Sequence, residues 1–123
     1  ILNLLLLRSI KKNQIEIYGG LNQVRSNLFI SDAINMIIKS TVKFKNEVFN
    51  INNHKMTTLG EMAKIISILS NKKIKNHKGF LKGSPNIIRI SNKKILKAIN
   101  YKISIDLKEG LLRTYSWYKN LII

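Results

Sequence analysis

The sequence predicts a chain of the α/β class, and three observations predict it. Two segments, Gln14 to Tyr18 and Glu47 to Ile51, are short apolar runs bounded by turn residues, as strands are. Three others, beginning near Ser31, Thr58 and Asp106, set apolar residues at helical spacing behind a capping residue. Hydrophobic side chains make up 45% of the 123 residues, enough for one modest core or for part of a larger domain.

Taken in order, residues 1–12 read as the end of an amphipathic helix already under way at Ile1, so the chain is expected to be a segment of something longer. Gln14 to Tyr18 is a short strand closed by the turn pair Gly19-Gly20. Asn27 to Ile30 is a second short apolar segment. A helix follows from about Ser31 to Thr41, capped by Ser31 or Asp32, with Ala33, Ile34, Ile37 and Ile38 as its expected buried stripe. Glu47-Val48-Phe49-Asn50-Ile51 is the clearest strand. Thr58-Leu59-Gly60-Glu61 fits a capping box, in which each side chain satisfies the other residue's backbone N–H, and Leu59, Met62, Ile66 and Leu69 continue the helix behind it. Asn71 to Pro85, rich in Lys, Gly and Asn, reads as an exposed connection with little regular structure. Asn92 to Ile99 is a short helix. The last helix runs from Asp106 to about Leu121 on a stripe of Leu107, Leu111, Tyr115, Tyr118 and Ile122.

Composition excludes several functions. Without cysteine there is neither a disulfide framework nor a thiolate metal site. His54 and His77 stand apart with no acid or histidine at ligand spacing, so no metal is expected. Asp32, Glu61, Asp106 and Glu109 fall in caps or first turns, where the helix dipole favours negative charge. Glu16 and Glu47 lie beside strands, and no carboxylate pair stands out as acid and base. Arg8, Lys11 and Lys12 cut off the apolar start far short of the roughly 20 residues a membrane span needs. No membrane association and a cytoplasmic location are expected.

The net charge of +16 has two readings. One is a basic face for nucleic acid or an acidic partner. The other is a solvated, lysine-rich surface, favoured because the lysines are scattered, with one denser run at Lys72, Lys73, Lys75 and Lys78 and no recognisable nucleic-acid motif. Such a charge would still draw in a phosphorylated ligand.

The chemistry concentrates in Ile17-Tyr18-Gly19-Gly20-Leu21-Asn22-Gln23-Val24-Arg25, with Asp32 seven residues further on. An apolar strand, a glycine turn and a single arginine beyond it suit a loop that holds an anion. The order strand, Gly turn, Gln-x-Arg and acidic helix start resembles the C-terminal part of the extended short-chain dehydrogenase/reductase family, the nucleotide-sugar epimerases and dehydratases. Four later stretches are similar to that family's motifs in order: Phe49-Asn50-Ile51, Thr58 to Ala63, Lys94 with Ile99-Asn100-Tyr101, and Asp106 to Leu111 followed by Trp117-Tyr118. The departures are Ser26-Asn27 for the family's Asp-Phe, Asn52 and Asn100 for glycines, and Ser91 for an Asp. Asparagine is the least costly replacement for a glycine in left-handed backbone.

The resemblance implies the α/β architecture of a Rossmann-type enzyme's C-terminal part. Residues 1–56 would form the edge of the parallel sheet with linking helices, with the stretch from Phe29 to Ile51 completing that edge, and residues 57–123 a small substrate-binding lobe. It implies a nucleotide-diphosphate sugar as ligand, with Arg25 and Arg89 on the diphosphate and Tyr18 against the base. A surface arginine paired with Glu16 or solvent is the other reading of Arg25, and core packing at the strand end that of Tyr18. NAD or NADP would be bound mainly by an N-terminal part, and the intact enzyme would be a homodimer. No catalytic residue is expected in this chain, which alone would be inactive. Tyr115 to Lys119 matches the superfamily's Tyr-x-x-x-Lys pair, yet Tyr115 lies on the apolar stripe and is expected to face the core. The glycine-rich nucleotide turn is also absent. The alternatives are a small basic binding module and a degenerate, non-catalytic remnant.

Overall fold

The computed structural model describes residues 1–77 and 86–122. Along these run α1 (Leu2–Lys11), β1 (Gln14–Tyr18), β2 (Val24–Ser26), α2 (Ile30–Lys43), β3 (Met56–Thr58), α3 (Leu59–Ser70), β4 (Lys73–His77), α4 (Lys93–Ile99) and α5 (Leu107–Ile122). β1 pairs in parallel with β4, from Gln14 opposite Lys73 to Tyr18 opposite His77. β2 pairs antiparallel with β3. The class is α/β with a parallel pair, as the sequence predicts.

Two apolar cores hold the elements. In the first, Ile15 and Ile17 point inward from β1 and meet Leu5 and Leu6 of α1, four residues of α3 from Leu59 to Ile66, and Leu111 of α5. Inward residues two apart on a strand and three or four apart on a helix are what the two periods require. The second core joins α2 to α4 through Met36, Ile95 and Ile99, with Phe44, Phe49 and Ile51 packed on it. The cores interleave along the chain: the first draws on α1 and α3, which lie on either side of the second core's α2.

The starts of α3 and α5 follow the sequence signals closely. Thr58 Oγ1 accepts from the Glu61 N–H at 3.1 Å, and Glu61 Oε2 accepts from the Thr58 N–H at 2.6 Å. Asp106 accepts from the Glu109 N–H at 2.8 Å and so caps α5. Tyr115 packs partly buried on the first core, and Lys119 is exposed. Asn100 ends α4 with φ 46°, the left-handed geometry its replacement of a glycine suggests. Asn52 is different, since its φ is not positive. Its Nδ2 donates to the Ile90 carbonyl at 2.8 Å and its own carbonyl accepts from Asn92 Nδ2 at 2.6 Å.

Four expectations need correction. Lys73–His77 is a strand rather than an irregular connection; Lys78 and the stretch from Gly79 to Pro85 lie outside the described residues. The apolar segment from Asn27 leads straight into α2, and a short strand that the residue pattern does not predict sits just before it at Val24–Ser26. Glu47 to Ile51 forms no ladder among the described residues; Lys94 instead holds the segment, donating to Glu47 Oε2 at 2.6 Å and to the Val48 carbonyl at 3.1 Å. Finally, Ile34, Ile37 and Ile38 are exposed, and α2 buries Asp32 and Met36.

The buried carboxylate explains that rotation. Asp32 is not a cap, since Phe29 occupies that position and makes no side-chain cap bond. Asp32 Oδ1 accepts from Tyr101 Oη at 2.7 Å, Ser104 Oγ at 2.8 Å and Ser104 N–H at 3.1 Å, while Oδ2 accepts from Ile105 N–H at 3.0 Å. A buried carboxylate is tolerable only with such donors, and their place in the 101–105 stretch sets which side of α2 turns inward. The stripe of Leu107, Leu111, Tyr115 and Tyr118 on α5 does pack on the first core, and the side chain of Ile122 lies outside the described residues.

Candidate functional site

The site grows from the loop between β1 and β2. Gly19 and Gly20 both have φ 93°, a conformation that side chains rarely adopt. The loop is then pinned to the start of α3: the Leu59 N–H donates to the Gln23 carbonyl at 2.8 Å and the Gly60 N–H to the Leu21 carbonyl at 2.9 Å. A Cβ on Gly60 would sit 3.3 Å from Leu21 Cβ, so glycine is what lets helix and loop approach.

Gln23 is buried beneath this turn, its Nε2 donating to the Gly19 carbonyl at 2.7 Å. Arg25 follows on β2. Its Nη2 donates to Gln23 Oε1 at 3.1 Å, and its Nη1 to the Val24 carbonyl at 2.8 Å and the Asn86 carbonyl at 3.3 Å. These three acceptors are neutral oxygens, and they hold the guanidinium in place. Glu16, the acid that a surface pairing of Arg25 would call for, lies with Lys12 at 3.9 Å and His77 at 3.5 Å. Burial raises the Glu16 carboxyl, but Lys12, His77 and Gln14 together hold it below its ordinary value. Arg25 lines an open cleft of about 470 Å³ with Ile1, Asn3, Ser26, Asn27 and Met62. A planar cation beside asparagine amides at the wall of a cleft suits phosphate oxygens.

Arg89 is exposed on a stretch that runs beside β2. The Val24 N–H donates to the Asn86 carbonyl at 2.8 Å, and Val24 bridges in parallel to Ile87. Further along, Asn52 and Asn50 donate to the carbonyls of Ile90 and Ser91 at 2.8 and 3.3 Å. The two arginines therefore sit on neighbouring segments, tied by the bond from Arg25 to Asn86.

Tyr18 stands apart from both. At the end of β1 it is 45% exposed and outside the core. Its ring stacks on that of His77 at 4.4 Å between centroids and 6° between planes, and the Arg8 guanidinium lies 5.9 Å from its centroid. It lines a second cleft of about 260 Å³ with Leu4, Arg8 and Glu16. Tyr18 and Arg25 thus flank the glycine loop, the one lining the smaller cleft and the other the larger. Reading the sequence missed His77 as the stacking partner of Tyr18, because β4 carries no strand pattern. It quoted Gln23 as part of the motif but gave it no role; its spacing two residues before the arginine was the available signal.

Among the described residues, no glycine-rich turn leads into a helix start of the kind that cradles a dinucleotide's phosphates. The Gly19-Gly20 turn leads into β2 rather than a helix start, and the carboxylate of Glu61 already occupies the start of α3. No group of three His, Asp or Glu residues that could hold a metal ion occurs among the described residues. No helix among them is long and apolar enough to cross a membrane.

No protein-family model matches the chain. Individual relatives do. A putative UDP-glucose 4-epimerase of Methanocaldococcus jannaschii is 31% identical over 119 residues, covering 89% of this chain and 36% of that protein. GDP-mannose 3,5-epimerase of Arabidopsis thaliana is 29% identical over 112 residues, covering 89% of this chain and 29% of that protein. The chain thus spans about a third of the length of the curated relatives it matches. Among solved structures, the UDP-glucose 4-epimerase of Thermotoga maritima, crystallised with UDP-glucose, matches 99% of this chain and 40% of its own with a TM-score of 0.85 at 20% identity. The UDP-glucuronic acid 4-epimerase of Bacillus cereus, in complex with NAD, matches 96% of this chain and 37% of its own with a TM-score of 0.80 at 21% identity. In sequence and in fold, the chain matches the C-terminal part of an extended short-chain dehydrogenase/reductase of the nucleotide-sugar epimerase and dehydratase family.

Proposed function

We propose that this chain is the nucleotide-sugar-binding part of an NAD(P)-dependent sugar-nucleotide epimerase, dehydratase or reductase. One observation carries the reading: the Gln23 side chain and the Val24 and Asn86 carbonyls hold the planar cation of Arg25 at the wall of an open cleft. Arg25 is the primary contact to the diphosphate, with Arg89 on the adjoining stretch as the second. Tyr18 is the weaker assignment, because His77 and Arg8 already lie against its ring. In this reading the cofactor supplies transient oxidation of the sugar and is held by protein outside this chain, with this part clamping the diphosphate.

The exposed face of α2 supports a need for further protein. Ile30, Ile34, Ile37, Ile38 and Val42 are all exposed, as is Val48 in the segment that follows α2. In the assembled enzyme, α2 and the segment from Glu47 to Ile51 would lie at the edge of the Rossmann-type sheet. The first core, built from α1, β1, α3 and α5, would be the substrate lobe, in place of a single break near residue 56. The whole enzyme would be a cytoplasmic homodimer, and this part alone would be inactive. Calorimetric titration of the full chain separates this from a basic binding module. UDP-glucose or GDP-mannose is expected to bind, with short duplex DNA far weaker and fading steeply with salt. Salt-sensitive DNA binding with no affinity for either sugar nucleotide would reverse the assignment.

A further inference from the structure

We propose that Gln23 is the positioning residue of the anion site: it sets the Arg25 guanidinium in the cleft and couples it to the shape of the glycine turn. The proposal rests on the reading of Arg25 given above and adds a residue to it. Gln23 is only 4% exposed, and both ends of its amide are used, Nε2 on the Gly19 carbonyl at 2.7 Å and Oε1 on Arg25 Nη2 at 3.1 Å. Those partners fix the amide's orientation without ambiguity, because one end faces an acceptor and the other a donor. No other common side chain of this length offers both: glutamate lacks the donor, lysine the acceptor and methionine both.

The neutrality of the amide matters as much as its reach. A carboxylate here would grip Arg25 more tightly but cancel the charge an anion must meet. An amide orders the guanidinium without adding a counter-charge of its own. The Gln23 carbonyl also accepts from the Leu59 N–H at 2.8 Å, so the same residue ties β2's entrance to the start of α3. A turn staple alone would need only the bond to Gly19. The second bond, to Arg25, is what points to positioning.

The test uses the full chain with Gln23→Met and Gln23→Glu, with UDP and inorganic pyrophosphate as probes. The readouts are affinity by calorimetry and the Arg25 Nε–H resonance in ¹⁵N spectra, assigned by its loss in Arg25→Ala. Gln23→Met is expected to average that resonance and to weaken both probes about tenfold, the loss of one hydrogen bond to a charged group. Gln23→Glu is expected to keep the resonance distinct and yet weaken both probes. A folded Gln23→Met protein with the wild-type resonance and affinity would overturn the proposal. Should that variant fail to fold, unchanged pyrophosphate affinity in Gln23→Glu would overturn it instead, and weakened affinity with a distinct resonance would support it. If the wild-type chain binds neither probe, the phosphate reading of Arg25 fails on its own. The resonance then still decides positioning: averaged in Gln23→Met supports it, unchanged overturns it.

Discussion

Replacing Asp32 by alanine is expected to destabilise the protein by about 3 kcal/mol or more, the largest effect of any single substitution considered. Asp32 is fully buried and accepts four hydrogen bonds from Tyr101, Ser104 and Ile105. Alanine would strand two backbone N–H groups and a phenol without their acceptor. The bonds also join α2 to the approach of α5, so their loss loosens the seam between the two cores. Asp32→Asn keeps the shape and removes the charge, and should cost less. The pH dependence follows from the same contacts. Burial raises the Asp32 carboxyl, but the donors from Tyr101, Ile105 and Ser104 outweigh it and hold the group below its ordinary value. A carboxyl depressed in the folded state adds stability above its unfolded value, near pH 4, and loses it as pH falls through the folded value. Urea melts of the wild type and Asp32→Asn should therefore differ at pH 7 and differ less at pH 3. A difference of the same size at both would show that the charge of Asp32 contributes nothing.

Arg25→Ala is expected to weaken UDP-glucose binding by roughly ten- to a hundredfold, the range for losing charge-assisted bonds to phosphate. Binding of uridine, which has no phosphate, should stay the same in both proteins. Arg25→Lys should fall between, because an ammonium keeps the charge and loses the planar fork. The substitution also removes the bonds to Val24, Gln23 and Asn86, so β2 is expected to hold the neighbouring stretch less firmly. Circular dichroism and a melting curve separate that effect from lost contact. Equal UDP-glucose affinity in wild type and a well-folded Arg25→Ala protein would remove Arg25 from the site.

Much of this was legible in the residues themselves. Caps are local chemistry, and Thr58 with Glu61, Asp106 with Glu109, and the left-handed Asn100 all read true because each depends on a few neighbouring atoms. Glycines 19 and 20 announced the turn for the same reason. What could not be read depends on contacts far along the chain. β4 has one aliphatic residue, Ile74, in five and is a strand only because its backbone pairs with buried β1. The inward face of α2 follows a carboxylate whose donors lie about 70 residues away, where no periodicity reaches. Helical spacing favoured Ile34, Ile37 and Ile38, and those are residues this chain leaves uncovered. At the site, the motif pointed to Arg25 through its place after the turn. The neutral oxygens that hold it, and the stacking of Tyr18 on His77, needed the fold.

The central claim is that the Arg25 cleft receives the diphosphate of a nucleotide-sugar. A crystal structure of the full chain with UDP-glucose, or with UDP alone, tests it most directly. The account predicts phosphate oxygens within hydrogen-bonding distance of the Arg25 guanidinium, beside Asn27 and Asn3. Nucleotide bound elsewhere on the surface, with the Arg25 guanidinium still turned to Gln23 and Asn86 and no phosphate near it, would contradict it.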